Sequence, residues 1–286
     1  AHGVGVVDIK TSILPEADAL FLTVIDKYGH ELWRWTFPVD ELNRETEQFS
    51  ASSGRASYTE TEKGITVKAN GRTFVFSKKD GQLKDVSVNN RKISFANGPR
   101  FIGARRADRS LDQCYNHDDE KAKAKDRTYS EFTDAAVFTK LDVKEEGGNL
   151  ILTANYKLGN LDKAQWTIHP DGMATLDYTY NFSGVVDLMG ICFDYPEEQV
   201  LSKRWLGAGP YRVWQNRIHG AQYDIWENDY NDPIPGGTFT YPEFKGYFGS
   251  VSWMSIRTKE GTISLTNETP DSYIGVYQPR DGRDRL

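Results

Sequence analysis

The chain has 286 residues, 38% of them hydrophobic and 27% charged, with 35 Lys+Arg against 41 Asp+Glu for a net charge of -6. That length can bury one large core, or one core plus a smaller piece. The acidic balance argues against a nucleic-acid binder, whose footprint is a basic stripe, and no stretch approaches the ~20 apolar residues of a membrane-spanning helix. Near the N-terminus, Ala19–Ile25 and 31–37 predict a hairpin around Asp26-Lys27-Tyr28-Gly29. Residues 39–47 could form a helical turn but are polar enough to be a linker. Residues 43–58 are polar in character, and 50–57 carry no long apolar residue, which puts a boundary there. Residues 1–45 then read as an immunoglobulin-like remnant or as edge strands of the main domain, with 55–286 as the main body.

Beyond the boundary the pattern is short strands separated by turn residues. Segments 65–69 and 73–76 flank Asn70-Gly71, one of the strongest hairpin signals. Lys79-Asp80-Gly81 turns into Leu83–Val88, and Asn89-Asn90 turns again into 93–95. Segments 150–156, 164–168, 173–182 and 191–195 read as further strands. His169-Pro170-Asp171-Gly172 is a turn, because proline presets its first corner and glycine accepts its second. Segments 246–257, Gly261–Thr266 and 273–277 close the series. Strands at this spacing without intervening helices predict an all-β sandwich.

Several stretches carry candidate chemistry. Trp205-Leu206-Gly207-Ala208-Gly209-Pro210 reads as a strand that stops at a shaped loop: glycine permits close backbone approach and proline sets the exit direction. Asp224-Ile225-Trp226-Glu227-Asn228-Asp229-Tyr230-Asn231-Asp232 is dense in aromatics, amides and carboxylates. As a loop it would suit a sugar, the ring stacking on an aromatic face while amides and carboxylates meet hydroxyls. Trp226, Asn228, Asp229 and Tyr230 are its candidate contacts, against the alternative of an ordinary Asx-rich turn. Trp205 reads as core, and Trp214 as a second stacking candidate. Arg105 and Arg106 could pair with a saccharide carboxylate or form surface salt bridges. The oxygen-rich run hints at structural calcium, but Asp224, Asp229 and Asp232 lack the spacing of a calcium loop. Cys114 and Cys192 show neither a disulfide framework nor metal-ligand spacing. The two formal glycosylation acceptors, Asn181-Phe182-Ser183 and Asn267-Glu268-Thr269, read as chance.

Three segments resemble the C-terminal β-sandwich of family 2 glycoside hydrolases, the β-galactosidase type. Residues 64–100 are similar to the opening of that family's small domain, with a hairpin, a G-x-L turn into the next strand and a Gly98-Pro99-Arg100 exit. In residues 101–114, Arg106-Ala107 and Asp112 match part of the family's R-A-P-x-D-N-D loop, while its proline and its Asn-Asp pair are missing. Residues 205–217 resemble W-x-G-x-G-P followed by an arginine, Arg217.

The resemblance implies a galactose mutarotase-like supersandwich of two large antiparallel sheets, and a chain that forms one end of a larger enzyme. The chemistry would sit on an upstream TIM barrel carrying two glutamates, with the 101–112 and 224–232 loops completing its pocket for a galactose-containing oligosaccharide or polysaccharide. It also places an aromatic near Tyr277 and implies a periplasmic or secreted setting. No residue is assigned a catalytic role. A retaining glycosidase needs two carboxylates about 5–5.5 Å apart, and the acidic runs here, such as Glu197-Glu198, are sequence neighbours that a strand sends to opposite faces. The alternative is a free-standing carbohydrate-binding or aldose-1-epimerase-like domain, although His117, His169 and His219 lack that family's H-x-Y-F-N context. A third reading is a structural module for domain docking, which would expose a large apolar patch.

Overall fold

The computed structural model describes residues 4–6, 8, 17–39, 54–106, 129–132, 134–184, 186, 188–210, 220–229, 247–269 and 272–276. They form twenty strands, every pairing antiparallel, with a 3-10 turn at Glu197–Gln199 and no α-helix among the described residues. The all-β sandwich read from strand spacing is what the chain forms, its strands shared among five sheets. The hairpin β1 (Ala19–Ile25) and β2 (Glu31–Pro38) is one of these, each strand pairing with the other. Its turn is closed by Asp26, whose Oδ1 accepts the backbone N–H groups of Tyr28 at 2.8 Å and His30 at 2.9 Å.

The largest sheet has the order β14-β8-β6-β5-β4-β3, with β7 on β6 and β9 on β8. It is made of β3 (Ser57–Glu60), β4 (Gly64–Ala69), β5 (Arg72–Ser77), β6 (Leu83–Val88), β7 (Arg91–Ile93), β8 (Ala96–Arg106), β9 (Tyr129–Phe132) and β14 (Leu188–Asp194). Asn70 and Gly71 both take positive φ, 42° and 72°, which is the twist a two-residue hairpin needs. Strand β3 begins inside the stretch read as a polar boundary. Gly98-Pro99-Arg100, read as an exit, instead lies within β8. A side chain at Gly98 would collide with the Phe193 ring and the Cys192 carbonyl, so the bare backbone lets β8 pass close to β14. Cys192 lies on β14 with its Sγ 3.8 Å from Arg100 Nη2, and Cys114 is outside the described residues.

A four-stranded meander, β10 (Val137–Glu146), β11 (Asn149–Lys157), β12 (Leu161–Ile168) and β13 (Ala174–Tyr180), covers the large sheet. Period-2 alternation turns Leu150, Leu152, Trp166 and Ile168 inward onto Ile65, Val67, Phe74, Phe76 and Leu83. Phe76 and Trp166 meet at 5.9 Å between ring centroids. Each such side chain contributes about 1.5–3 kcal/mol through burial. The two layers are also tied by polar contacts at their turns. The Asp171 carbonyl accepts Asn70 Nδ2 at 2.8 Å and Arg72 Nη1 at 2.7 Å.

The remaining strands form the order β16-β15-β18-β19, from β15 (Val200–Gly209), β16 (Gln222–Asp229), β18 (Trp253–Thr258) and β19 (Gly261–Thr266), with β17 (Tyr247–Gly249) paired to β20 (Tyr273–Gly275). The single strand read over 246–257 is two strands in different sheets. Ser250, at φ 51°, breaks the run, and buried Val251 anchors the crossing from β17 to β18. A second core of Trp205, Phe248, Val251 and Met254 fills the space between these sheets.

Glu260, in the β18–β19 turn, joins this half to the large sheet. Its carboxylate accepts the Ser94 N–H at 2.9 Å, the Ser94 hydroxyl at 2.7 Å and the Tyr195 hydroxyl at 2.8 Å. Burial pushes the Glu260 pKa up, but those hydrogen bonds and the Lys92 charge outweigh it, leaving the pKa below its ordinary 4.5. Tyr195 is pushed up to about 12, chiefly by burial. A carboxyl with a depressed folded pKa adds stability above its unfolded value and loses it as pH falls through the folded one. Glu260→Gln should therefore lower stability by about 1–3 kcal/mol at pH 7. In urea titrations that gap should close as pH drops below 4.5; a gap independent of pH would contradict the assigned joint.

Candidate functional site

The Trp205 segment is the terminal half of β15, and its two glycines are explained by what crosses them. Strand alternation points Trp205, Gly207 and Gly209 to one face, together with the paired residues Trp226 and Asp224 of β16. Trp205 is fully buried, packs on Phe248 at 4.5 Å between centroids, and donates its indole N–H to the Ala208 carbonyl at 3.0 Å. At Gly207 a Cβ would lie 2.9 Å from Val251 Cα and 3.0 Å from the Ser250 carbonyl oxygen, so backbone passes where a side chain would stand. At Gly209 a Cβ would collide with the Trp226 ring. The Trp226 indole N–H bonds both the Gly207 carbonyl at 3.2 Å and the Gln222 carbonyl at 3.1 Å. Aromatic cover over one glycine and chain cover over the other hold the Gly209-Pro210 exit in place.

Polar groups line the same face. Lys203, two residues before Trp205, is 2% exposed, with Nζ 6.0 Å from the Phe248 ring centre and 3.5 Å from the Asp229 carbonyl. Asn228 pairs with Lys203 in register, and its buried Oδ1 has no hydrogen-bond partner among the described residues. Asp224 is 8% exposed; its Oδ1 accepts the Ile225 N–H at 2.7 Å and its Oδ2 lies 3.7 Å from Arg34 Nη1 of β2. Amine, amide and carboxylate therefore sit along a face otherwise built of indole and aliphatic groups. Such a strip can orient a polyhydroxylated ligand or fix neighbouring segments. Asp224 and Asp229 fall on opposite faces of β16, so their carboxylates do not converge.

The sequence candidates are distributed as follows. The stretch from Asp224 to Asp229, expected as a loop, is a strand: every residue from Gln222 to Asp229 pairs with β15. Its Asn and Asp content suggested turns, and cross-strand pairing overrode that local preference. Trp226 and Asn228 share the Trp205 face, while Asp229 points the other way and is exposed. Arg105 and Arg106 close β8, their backbones paired with Ser130 and Tyr129 of β9. Asp112, Trp214, Tyr230 and Tyr277 lie outside the described residues, as does Asp232 of the calcium suggestion. Among the described residues no group of three or more His, Cys, Asp or Glu is placed to hold a metal ion. Lys203 was missed, although its place two residues before a core tryptophan already turns it inward.

The glycine argument has a measurable consequence. Gly209→Ala should destabilise the fold by about 1–3 kcal/mol through overpacking. In a Trp226→Ala background the same change should cost less than half as much, because the obstructing ring is gone. A double-mutant cycle in urea reads the difference, and additivity would refute the proposed contact.

Comparison with known proteins bears on the same segments. No curated protein matches the chain. A family model described as "Beta galactosidase small chain" matches residues 68–274, well over half of the sequence. The match takes in the meander, the Glu260 joint and the whole of β15 and β16. On this ground the chain belongs to the β-galactosidase small-chain family, and is a glycoside hydrolase-associated domain.

Proposed function

We propose that this chain is a non-catalytic, carbohydrate-associated domain of a family 2 glycoside hydrolase, and that it completes the substrate pocket of a catalytic TIM barrel. The observation that carries this reading is the anchored end of β15. Trp226 over Gly209 and the Ser250–Val251 backbone over Gly207 give the 210–219 segment, which contains Trp214, a rigid origin. Sugar contacts built on loops gain precision when the supporting scaffold is fixed. In this reading Trp226 positions the β15 exit, with its indole N–H already committed to two carbonyls. Trp214, Tyr230, Tyr277, Asp112, Arg105 and Arg106 are the side chains that meet the sugar. Asn228 and Asp229 end the β16 strand that leads to Tyr230.

In this reading no residue of the chain is given a catalytic role. A sequence of strands without alternating helices cannot supply a (β/α)₈ barrel of ~250 residues, so the partner must bring both carboxylates. The sugar would be a galactoside, with the small chain forming one wall.

The test uses the chain alone and then with the polypeptide that carries the barrel. Alone it should give no steady turnover of an aryl β-galactoside, and its tryptophan fluorescence should stay flat with galactose up to tens of millimolar, where even a ~1 mM site would saturate. Hydrolysis should appear when the catalytic polypeptide is added. Steady turnover by the chain alone would overturn the non-catalytic reading, and saturable fluorescence would favour a self-contained binding domain. Mutarotation of freshly dissolved galactose above the buffer rate would favour an epimerase.

A further inference from the structure

The sequence contains two Asn-Gly pairs, Asn70-Gly71 and Asn97-Gly98, and the fold treats them oppositely. Asparagine before glycine is the pairing most open to loss of the side-chain amide, because a residue without Cβ leaves its nitrogen unhindered beside the preceding carboxamide. Gly98 lies buried in β8, where the Phe193 ring and the Cys192 carbonyl close around it. Asn97 is held by Asp194, Nδ2 to Oδ2 at 2.9 Å. Asn70 and Gly71, by contrast, form the exposed tip between β4 and β5. The Gly71 N–H donates to no group among the described residues. Exposed tips of this kind open locally at little cost.

The same tip carries structural weight. Asn70 Nδ2 donates to the Asp171 carbonyl at 2.8 Å, alongside Arg72 Nη1 at 2.7 Å, and these bonds join the large sheet to the meander. The Asp171 side chain is 8% exposed, with a buried Oδ2 that has no hydrogen-bond partner. An acid in place of the Asn70 amide removes a donor from that corner and adds a carboxylate to one already short of partners.

We propose that Asn70 is a site of deamidation in the folded chain, and that its conversion releases this contact between the two layers. The reagent is water. The Gly71 nitrogen gives up its proton and attacks Asn70 Cγ. A new C–N bond closes a five-membered imide, and the Cγ–Nδ2 bond breaks to release ammonia, which takes up the proton. Water then opens either carbonyl C–N bond of the imide, giving aspartate or isoaspartate. No electrons are transferred; one water is consumed and one ammonia released. Aspartate presents an acceptor to the Asp171 carbonyl, and isoaspartate also lengthens the main chain by one carbon inside a turn whose length sets the hairpin register. Either product leaves that carbonyl with Arg72 alone.

The wild-type chain, incubated folded in mildly alkaline buffer and in parallel unfolded in urea, tests this by peptide mapping with mass spectrometry. In urea the two Asn-Gly sites should convert at similar rates. In the folded chain Asn70 should convert at least tenfold faster than Asn97. The deamidated chain, separated by anion exchange, should show a folded-to-unfolded ratio at least fivefold lower in urea titrations, and Asn70→Asp should reproduce the loss caused by the aspartate product. Equal rates at the two sites in the folded chain would overturn the selectivity, and an Asn70 that stays intact there would overturn the site itself. A deamidated chain as stable as the unmodified one would overturn the link to the layer contact.

Discussion

The indole of Trp226 occupies the space that a side chain at Gly209 would need, and its N–H holds carbonyls on both strands it bridges. That contact sets how β15 and β16 end, and it depends on a residue with no Cβ. Gly207 repeats the arrangement with backbone in place of an indole: residues 249–251 cross where its side chain would project. Because the chain crosses there, β17 can leave for a separate sheet and β18 can return to pair with β15. Trp205 then fills the volume beneath the crossing, against Phe248 and Met254. Two missing methyl-sized groups thus organise two sheets, a core and the direction in which the chain leaves toward residue 211. Packing at interior density leaves no slack for restoring either one.

The two halves of the molecule are held by different physics. Within each half, alternating strands bury aliphatic and aromatic side chains, and the stabilisation scales with area. Between them, the joint at Glu260 is polar and directional, with one carboxylate gathering three donors from Ser94 and Tyr195. A hydrophobic contact would tolerate sliding, whereas this one fixes orientation. If β15 and its exit form a wall of a shared pocket, a fixed angle between the halves is what the pocket requires.

Legibility followed the range of the interaction responsible. The Asn70-Gly71 and Asn89-Asn90 turns were readable because positive φ is a local demand that few residues satisfy, and both pairs adopt it. Strands β6 and β19 end where the pattern ends them, at turn residues on either side. Trp205 was readable as core from its place in an alternating strand. The strands that escaped were β3, β8, β9, β10 and β16, whose residues are polar or interrupted by glycine and proline. Their pairing comes from neighbours distant in sequence: β8 borders β14 some ninety residues on, and β16 borders β15 across a long connection. For the site, the glycine pattern announced close approach, but the identity of the approaching group, Trp226 at one position and residues 249–251 at the other, is a property of the folded chain.

By itself the sequence determined the all-β class, the tight turns, the inward tryptophan of β15 and the family, because each depends on short-range periodicity, backbone limits at single residues or a contiguous motif. Only the tertiary structure decided that residues 222–229 are a strand, that Lys203 is buried beside Asn228 and that Glu260 joins the two halves. Those outcomes turn on which surfaces meet across tens of residues, and no local pattern encodes a partner that arrives from elsewhere in the fold.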